Sequence, residues 1–375
     1  MRICGITSHL PNEVIREIIN NLSSFENETP ITTLASCCLV SKVCSEVATP
    51  LLYRHIDLTC DDDTSRNGHH GRRKANGHEG RNFVPAFHQP HFIPQQVKYL
   101  RKYTKSLTIS YHHHSRCSSH PSFDILDLPN LITLQLDLGL NHRPNHPQRF
   151  HTGHLPDVQS TLKPCPVFAR LIPKILVFKN VSIRLFDLRL PDIPTSIYEK
   201  VRTLVLHSSS HERYRPSASP LPFHLPNLPS IKEVYWLFDS SIDSKAEEQV
   251  PMHKEWYKVN THSITQLILR LLLPSPDVRF SIVNVGSTIL KDPNRRYMSI
   301  GERQDDIEKQ LRDKVWKFSI QDPYYRDWDK NDLEVRMNNV RFMDLKWFVD
   351  HVEWWDWIEA SVLADWKKVM YGLPK

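Results

Sequence analysis

Glycine is the scarcest common residue of this chain: 10 among 375 positions, where average usage near ~7% would give about 26. Phosphate-cradling loops and sharp catalytic turns therefore lack raw material. There is no G-x-G-x-x-G, no G-x-x-x-x-G-K and no G-x-S-x-G, which lowers the standing of nucleotide-binding and hydrolase readings. Long apolar runs are also missing; stretches such as Leu271 to Leu273 fall far short of the roughly 20 residues a membrane helix needs. Met1 to Leu10 has no sustained apolar core behind Arg2, so no secretory signal is read and a cytosolic or nuclear protein is expected. The 7 cysteines include no C-x-x-C pair, and reduced, packed thiols are expected.

Charge is modest. The net value is +6, but the last 75 residues hold 16 acidic against 13 basic side chains, and no basic cluster exceeds Arg72-Arg73-Lys74. A dedicated nucleic-acid binder concentrates its Lys and Arg on one element, so that reading ranks low. Hydrophobic residues make up 40% and charged residues 24%, ordinary values for a folded chain of mixed α/β (α+β) class.

The most definite element starts at Leu10-Pro11-Asn12-Glu13-Val14-Ile15. Pro11 suits a first helical turn and Glu13 complements the positive end of the helix dipole. Val14, Ile18 and Leu22 recur every four residues, and Ile15 with Ile19 widens the stripe. Ser23 to Thr33, polar and holding Pro30, reads as a loop. Leu34, Cys37, Val40, Cys44, Val47 and Leu51 form a second helical seam with a bend near Ser41 and a stop at Pro50. Leu52, Ile56 and Leu58 then alternate as a strand does. Residues 61–96, with Asp61-Asp62-Asp63, five basic residues and four of the glycines, read as a surface insertion.

Beyond it an apolar-x-x-apolar-x-apolar pattern recurs: Leu131-Leu134-Leu136, Ile172-Ile175-Val177, Val201-Leu204-Leu206, Ile231-Val234-Trp236 and Ile264-Leu267-Leu269, with a weaker copy at Thr104-Leu107-Ile109. Its middle positions step by 27, 41, 29, 30 and 33 residues. Units of that length, each with one short strand that cannot cover its own inward side chains, stack and share a core. The competing explanation is a general α/β domain whose strands fall about 30 residues apart.

The C-terminal region differs in composition, with seven of the nine tryptophans between Trp316 and Trp366. Ile307, Leu311 and Val315 mark one amphipathic helix, and Phe348, Val352, Trp355, Val362, Trp366 and Val369 mark a longer one from Asp344. On that helix Trp355 and Trp366 fall on the apolar stripe, whereas Trp354 and Trp357 lie off it and are expected to be exposed and to contact a partner. Of the 21 histidines, 14 lie between His55 and His154, including His112-His113-His114 and His142, His146, His151 and His154. They sit among Pro, Asn and Arg without a Cys pair, so no metal site and no cofactor are assigned. Asp305 with Asp306 and Glu353 with Asp356 read as solvated helix faces, and no catalytic residue is assigned.

Residues 10–58 resemble an F-box of the style common in fungal proteins, in three pieces in the right order: Leu10-Pro11-Asn12-Glu13-Val14-Ile15, Leu39-Val40-Ser41-Lys42 and Pro50-Leu51-Leu52-Tyr53-Arg54-His55-Ile56-Asp57-Leu58. Cys44 stands where many F-boxes carry Trp, and the loop after the first helix is longer than in compact examples. The resemblance implies a three-helix module over 8–58 that docks on a Skp-type adaptor and through it on a cullin scaffold. The body behind it would recruit a protein substrate without catalysis of its own. Carried over position by position, the adaptor-facing residues are Leu10, Pro11, Glu13, Val14, Ile18, Leu22, Leu39 and Val40. The body over 97–300 resembles a degenerate leucine-rich-repeat solenoid, closed by a helical, Trp-rich cap over 301–375. A protein-binding scaffold with no ligase association is the alternative.

Overall fold

A computed structural model describes residues 11–22, 29–59, 100–110, 127–137, 168, 170–179, 181, 194–208, 228–238, 264–265, 267–269, 277–287, 299–321, 329–354, 357–358 and 366. The segment 61–96, Leu10 and the histidines from His112 to His154 lie outside them.

The chain begins with α1 (Asn12–Leu22), α2 (Thr29–Val40) and α3 (Lys42–Leu52). Three expectations change here. Thr29 to Thr33 is not loop but the first turns of α2, with Pro30 at its second residue, where a missing N–H costs nothing because the first helical N–H groups have no intrahelical acceptor. The bend near Ser41 is a full break. Ser41 is extended (φ −158°, ψ 164°), and its Oγ accepts a hydrogen bond from the Cys44 N–H at 3.1 Å, so it caps α3 instead of continuing α2. Pro50 does not stop α3 at once: the helix runs on to Leu52, although the ring has no N–H to offer the Glu46 carbonyl one turn back. Ile19, Leu34, Cys44 and Ala48 form a small core of their own, flanked by Ile15, Cys37, Cys38, Val47, Leu51 and Leu52.

From α3 the chain enters one sheet of eight strands: β1 (His55–Thr59), β2 (Ser106–Ser110), β3 (Thr133–Asp137), β4 (Ile175–Lys179), β5 (Thr203–Ser208), β6 (Glu233–Phe238), β7 (Arg279–Val283) and β8 (Val340–Met343). Their spatial order is their chain order, and every neighbouring pair is parallel. In register, Leu107, Leu134, Leu176, Leu204, Val234, Phe280 and Val340 form one row, and Ile109, Leu136, Phe178, Leu206, Trp236 and Ile282 form a second, two residues on. Side chains two apart on a strand share a face, so both rows point into one core.

That core is closed by the connections. Leu131, Leu171, Val201 and Ile231, each just ahead of a strand, lie in it. So do Ile197 of α4 (Thr195–Glu199), Ile307, Leu311 and Val315 of α5 (Ile300–Gln321), and Leu333 and Met337 of α6 (Lys330–Met337). α5 opens on a reciprocal cap: Ser299 N–H donates to Glu302 Oε2 at 2.7 Å and Glu302 N–H to Ser299 Oγ at 3.2 Å. Those backbone and hydroxyl donors hold the Glu302 carboxyl below its ordinary range.

Two expected strand positions shift. The row passes through Leu176, not Ile175, and the fifth copy, Ile264-Leu267-Leu269, is not a strand. Its described residues are helical and buried, the next strand being β7 around Phe280.

The opposite face is divided. At β1 to β3 its positions are polar, with Ser106, Thr108, Thr133 and Gln135 buried. Gln135 Nε2 donates to Ser106 Oγ at 3.2 Å, and Thr108 Oγ1 lies 3.2 Å from His55 Nε2. From β4 onward it turns apolar, with Val177, Val205, Leu237, Val283 and Met343. Leu345 and Phe348 of α7 (Leu345–His351), then Trp354, Trp357, Ile358 and Trp366, pack over these residues as a second core.

Candidate partner-binding surface

The N-terminal module exposes apolar side chains that its own core does not use. On α1, Val14 and Ile18 are four residues apart and share a face; the neighbouring face, Ile15 and Ile19, turns toward the module core. Ile18 is 48% exposed. At the end of α2, Leu39 is 89% exposed and Val40 next to it is exposed as well, just before the break at Ser41. Pro11 and Glu13 also lie at the surface. Leu22 is the last residue of α1, and its side chain, like Leu10 as a whole, lies outside what is described.

Such residues on a unit this small are costly. Leaving a Val, Leu or Ile side chain in water forgoes about 1.5–3 kcal/mol relative to burying it, and exposed apolar patches mark interaction sites. The arrangement offers burial, not covalent chemistry. Cys44 lies in the module core. Burial, with smaller contributions from Cys44 and Cys38, pushes the Cys37 thiol above its ordinary value, which keeps it protonated and slow to react at neutral pH.

For the second set of site residues the expected exposure is overturned. Trp354 and Trp357 are not exposed: they retain 4% and 7% of their surface. The assumed long helix is the reason. α7 stops at His351, and Val352 is extended (φ −110°, ψ 137°), so the stripe drawn on a continuous helix does not apply. Trp354 Nε1 donates to Val349 O at 2.9 Å, and Trp357 lies 5.0 Å from the Tyr235 ring, centroid to centroid. Burial, with a smaller contribution from Glu233, raises the Tyr235 phenol above its ordinary value. Among the described residues the exposed tryptophan is Trp347, on α7 and stacked on His351 at 4.7 Å; one turn of helix separates that pair, a spacing the sequence displays.

Among the described residues no group of His, Cys, Asp or Glu is arranged to hold a metal ion, and no described helix is long and apolar enough to cross a membrane. Compared with protein-family models, curated proteins and solved structures, the chain has no significant match in any of the three.

Proposed function

We propose that this chain is the substrate-recognition subunit of a Skp-cullin-F-box type ubiquitin ligase. The N-terminal module would dock on the Skp adaptor and the body would hold a protein substrate. The observation that carries the reading is the surface of the module: Val14, Ile18, Leu39 and Val40, four of the positions assigned to adaptor contact, are all exposed, while Ile19, Leu34, Cys44 and Ala48 already supply a core. The module thus keeps apolar side chains in hand for a second polypeptide. In such a complex the covalent chemistry belongs to other subunits, and this chain contributes proximity by fixing a substrate lysine near the conjugating enzyme.

The body is consistent with a leucine-rich-repeat-like solenoid. Strands that follow one another in chain order, all parallel, with described residues of the connections from β2 onward packed into one core, fit the arrangement of stacked units that share a core. The uneven steps between strands make the array degenerate.

Co-expression with a Skp adaptor tests the proposal. The wild-type chain co-purifies, and Ile18→Asp with Leu39→Asp abolishes capture while leaving the fold intact. Failure of the wild type to bind, or equal binding by the double variant, overturns it.

A further inference from the structure

The register of the sheet assembles something that no stretch of sequence contains. The residue immediately before each strand sits at one level along the sheet: Arg54, Lys105, Ile132, Lys174, Arg202 and Lys232, for β1 to β6. Five of these six rungs are cationic. The same backbone device fixes the first five in place, because the carbonyl accepts two N–H groups from the start of the next strand; Lys232 O takes the Arg279 N–H at 2.8 Å. Lys105 O takes Ile132 and Thr133 N–H at 2.8 and 2.9 Å, Lys174 O takes Arg202 and Thr203 N–H at 2.8 and 3.1 Å, and Arg202 O takes Lys232 and Glu233 N–H at 2.8 and 3.1 Å. Lys105, Lys174, Arg202 and Lys232 are exposed.

No carboxylate stands among the six rungs. The one carboxylate next to the ladder on a strand, Glu233, is paired with Arg279. Like charges on neighbouring strands oppose each other and destabilise a sheet, and a rim that served solubility alone would mix the two signs. With rungs about 4.8 Å apart, the line from β1 to β6 is about 24 Å long, which an extended peptide spans in roughly seven residues.

We infer that this N-terminal rim of the sheet is a docking site for an extended acidic segment of a partner protein, whose carboxylates lie along Lys105, Lys174, Arg202 and Lys232. A single-stranded nucleic acid carries a comparable line of charge, but its binding sites interleave aromatic side chains on which bases stack. The rim positions beside the four contact residues are Tyr103, Thr104, Ile172, Pro173, Lys200, Val201, Ser230 and Ile231; Tyr103 alone among them is aromatic, which is no succession of stacking rings. As a statement of substrate class the inference rests on the receptor reading. Its measurement does not, since anion binding is read on the chain alone and adaptor capture is read separately.

The test uses the full chain and a fluorescent peptide of alternating Glu and Ser, with binding followed by anisotropy. K174E/R202E/K232E weakens binding at least tenfold, the neutral set K174Q/R202Q/K232Q weakens it less, and raising the salt concentration weakens the wild type. The control K309E/K317E/K346E, with the same change in net charge on exposed positions of α5 and α7, binds as the wild type does. Equal loss in the control reduces the effect to net charge and overturns the site. So does absence of binding by the wild type, and so does an oligonucleotide of equal charge that binds more tightly with the same dependence on the three rungs. If the charge-reversed set does not fold, the neutral set carries the test.

Discussion

Replacing Trp354 by Ala separates two views of the C-terminal segment. As a partner contact on an exposed helix face, the side chain would be removable at a cost within about 0.5 kcal/mol of stability. In the structure it is 4% exposed and belongs to the layer that covers Val177, Val205, Leu237 and Val283 on the second face of the sheet. Truncating a buried Trp costs about 3–5 kcal/mol in lost transfer energy and residual cavity, and here the Val349 carbonyl also loses its donor. Urea unfolding followed by circular dichroism reads the difference, with Trp347→Ala as the reference because Trp347 is 41% exposed. Trp354→Ala should fall about 3–5 kcal/mol below the wild type, and Trp347→Ala should stay within about 1 kcal/mol. Equal midpoints for Trp354→Ala and wild type would mean that the segment does not seal this face.

Further outcomes follow from the same contacts. Leu204→Ala, in the middle of the inward row and 1% exposed, costs about 2–5 kcal/mol, measured by the same unfolding experiment. Ser41→Ala removes the cap of α3 and lowers stability by about 1 kcal/mol; loss of helical signal on mild heating of the isolated variant chain checks it. The raised Tyr235 phenol favours the neutral ring in the folded state, so its contribution is complete below the ordinary value of 10.0 and is lost as pH rises through the higher folded value. Stability should therefore fall above about pH 10, and Tyr235→Phe should flatten that limb of the curve.

Much of the framework can be read from the sequence, because α1 and the inward rows at β2 and β3 carry an apolar period with polar neighbours, while at β5 and β6 polar Thr203 and Glu233 just ahead of Leu204 and Val234 mark where the inward row begins. β4 is displaced by one residue for a physical reason: Ile175, Leu176, Val177 and Phe178 are apolar on both faces, so alternation cannot choose between them. Ile264, Leu267 and Leu269 satisfy a strand-like template, but with Ile268 they also match helical spacing, and the described residues there are helical. The tryptophans were misplaced by a period extended past the end of α7 at His351. Exposure of Val14 and Ile18 beside buried Ile19 depends on where α3 packs, and the basic ladder depends on strand register. Neither quantity exists in a linear chain.

The claim on which the rest depends is that the exposed apolar side chains of α1 and the end of α2 bury themselves in a Skp adaptor. Titrating purified adaptor into the full chain by calorimetry measures it directly. The wild type should bind, and Ile18→Asp should lose about 2–4 kcal/mol, roughly 30- to 1000-fold in Kd, as a central anchor does. An unchanged Kd in that variant, with its fold intact, would contradict the account.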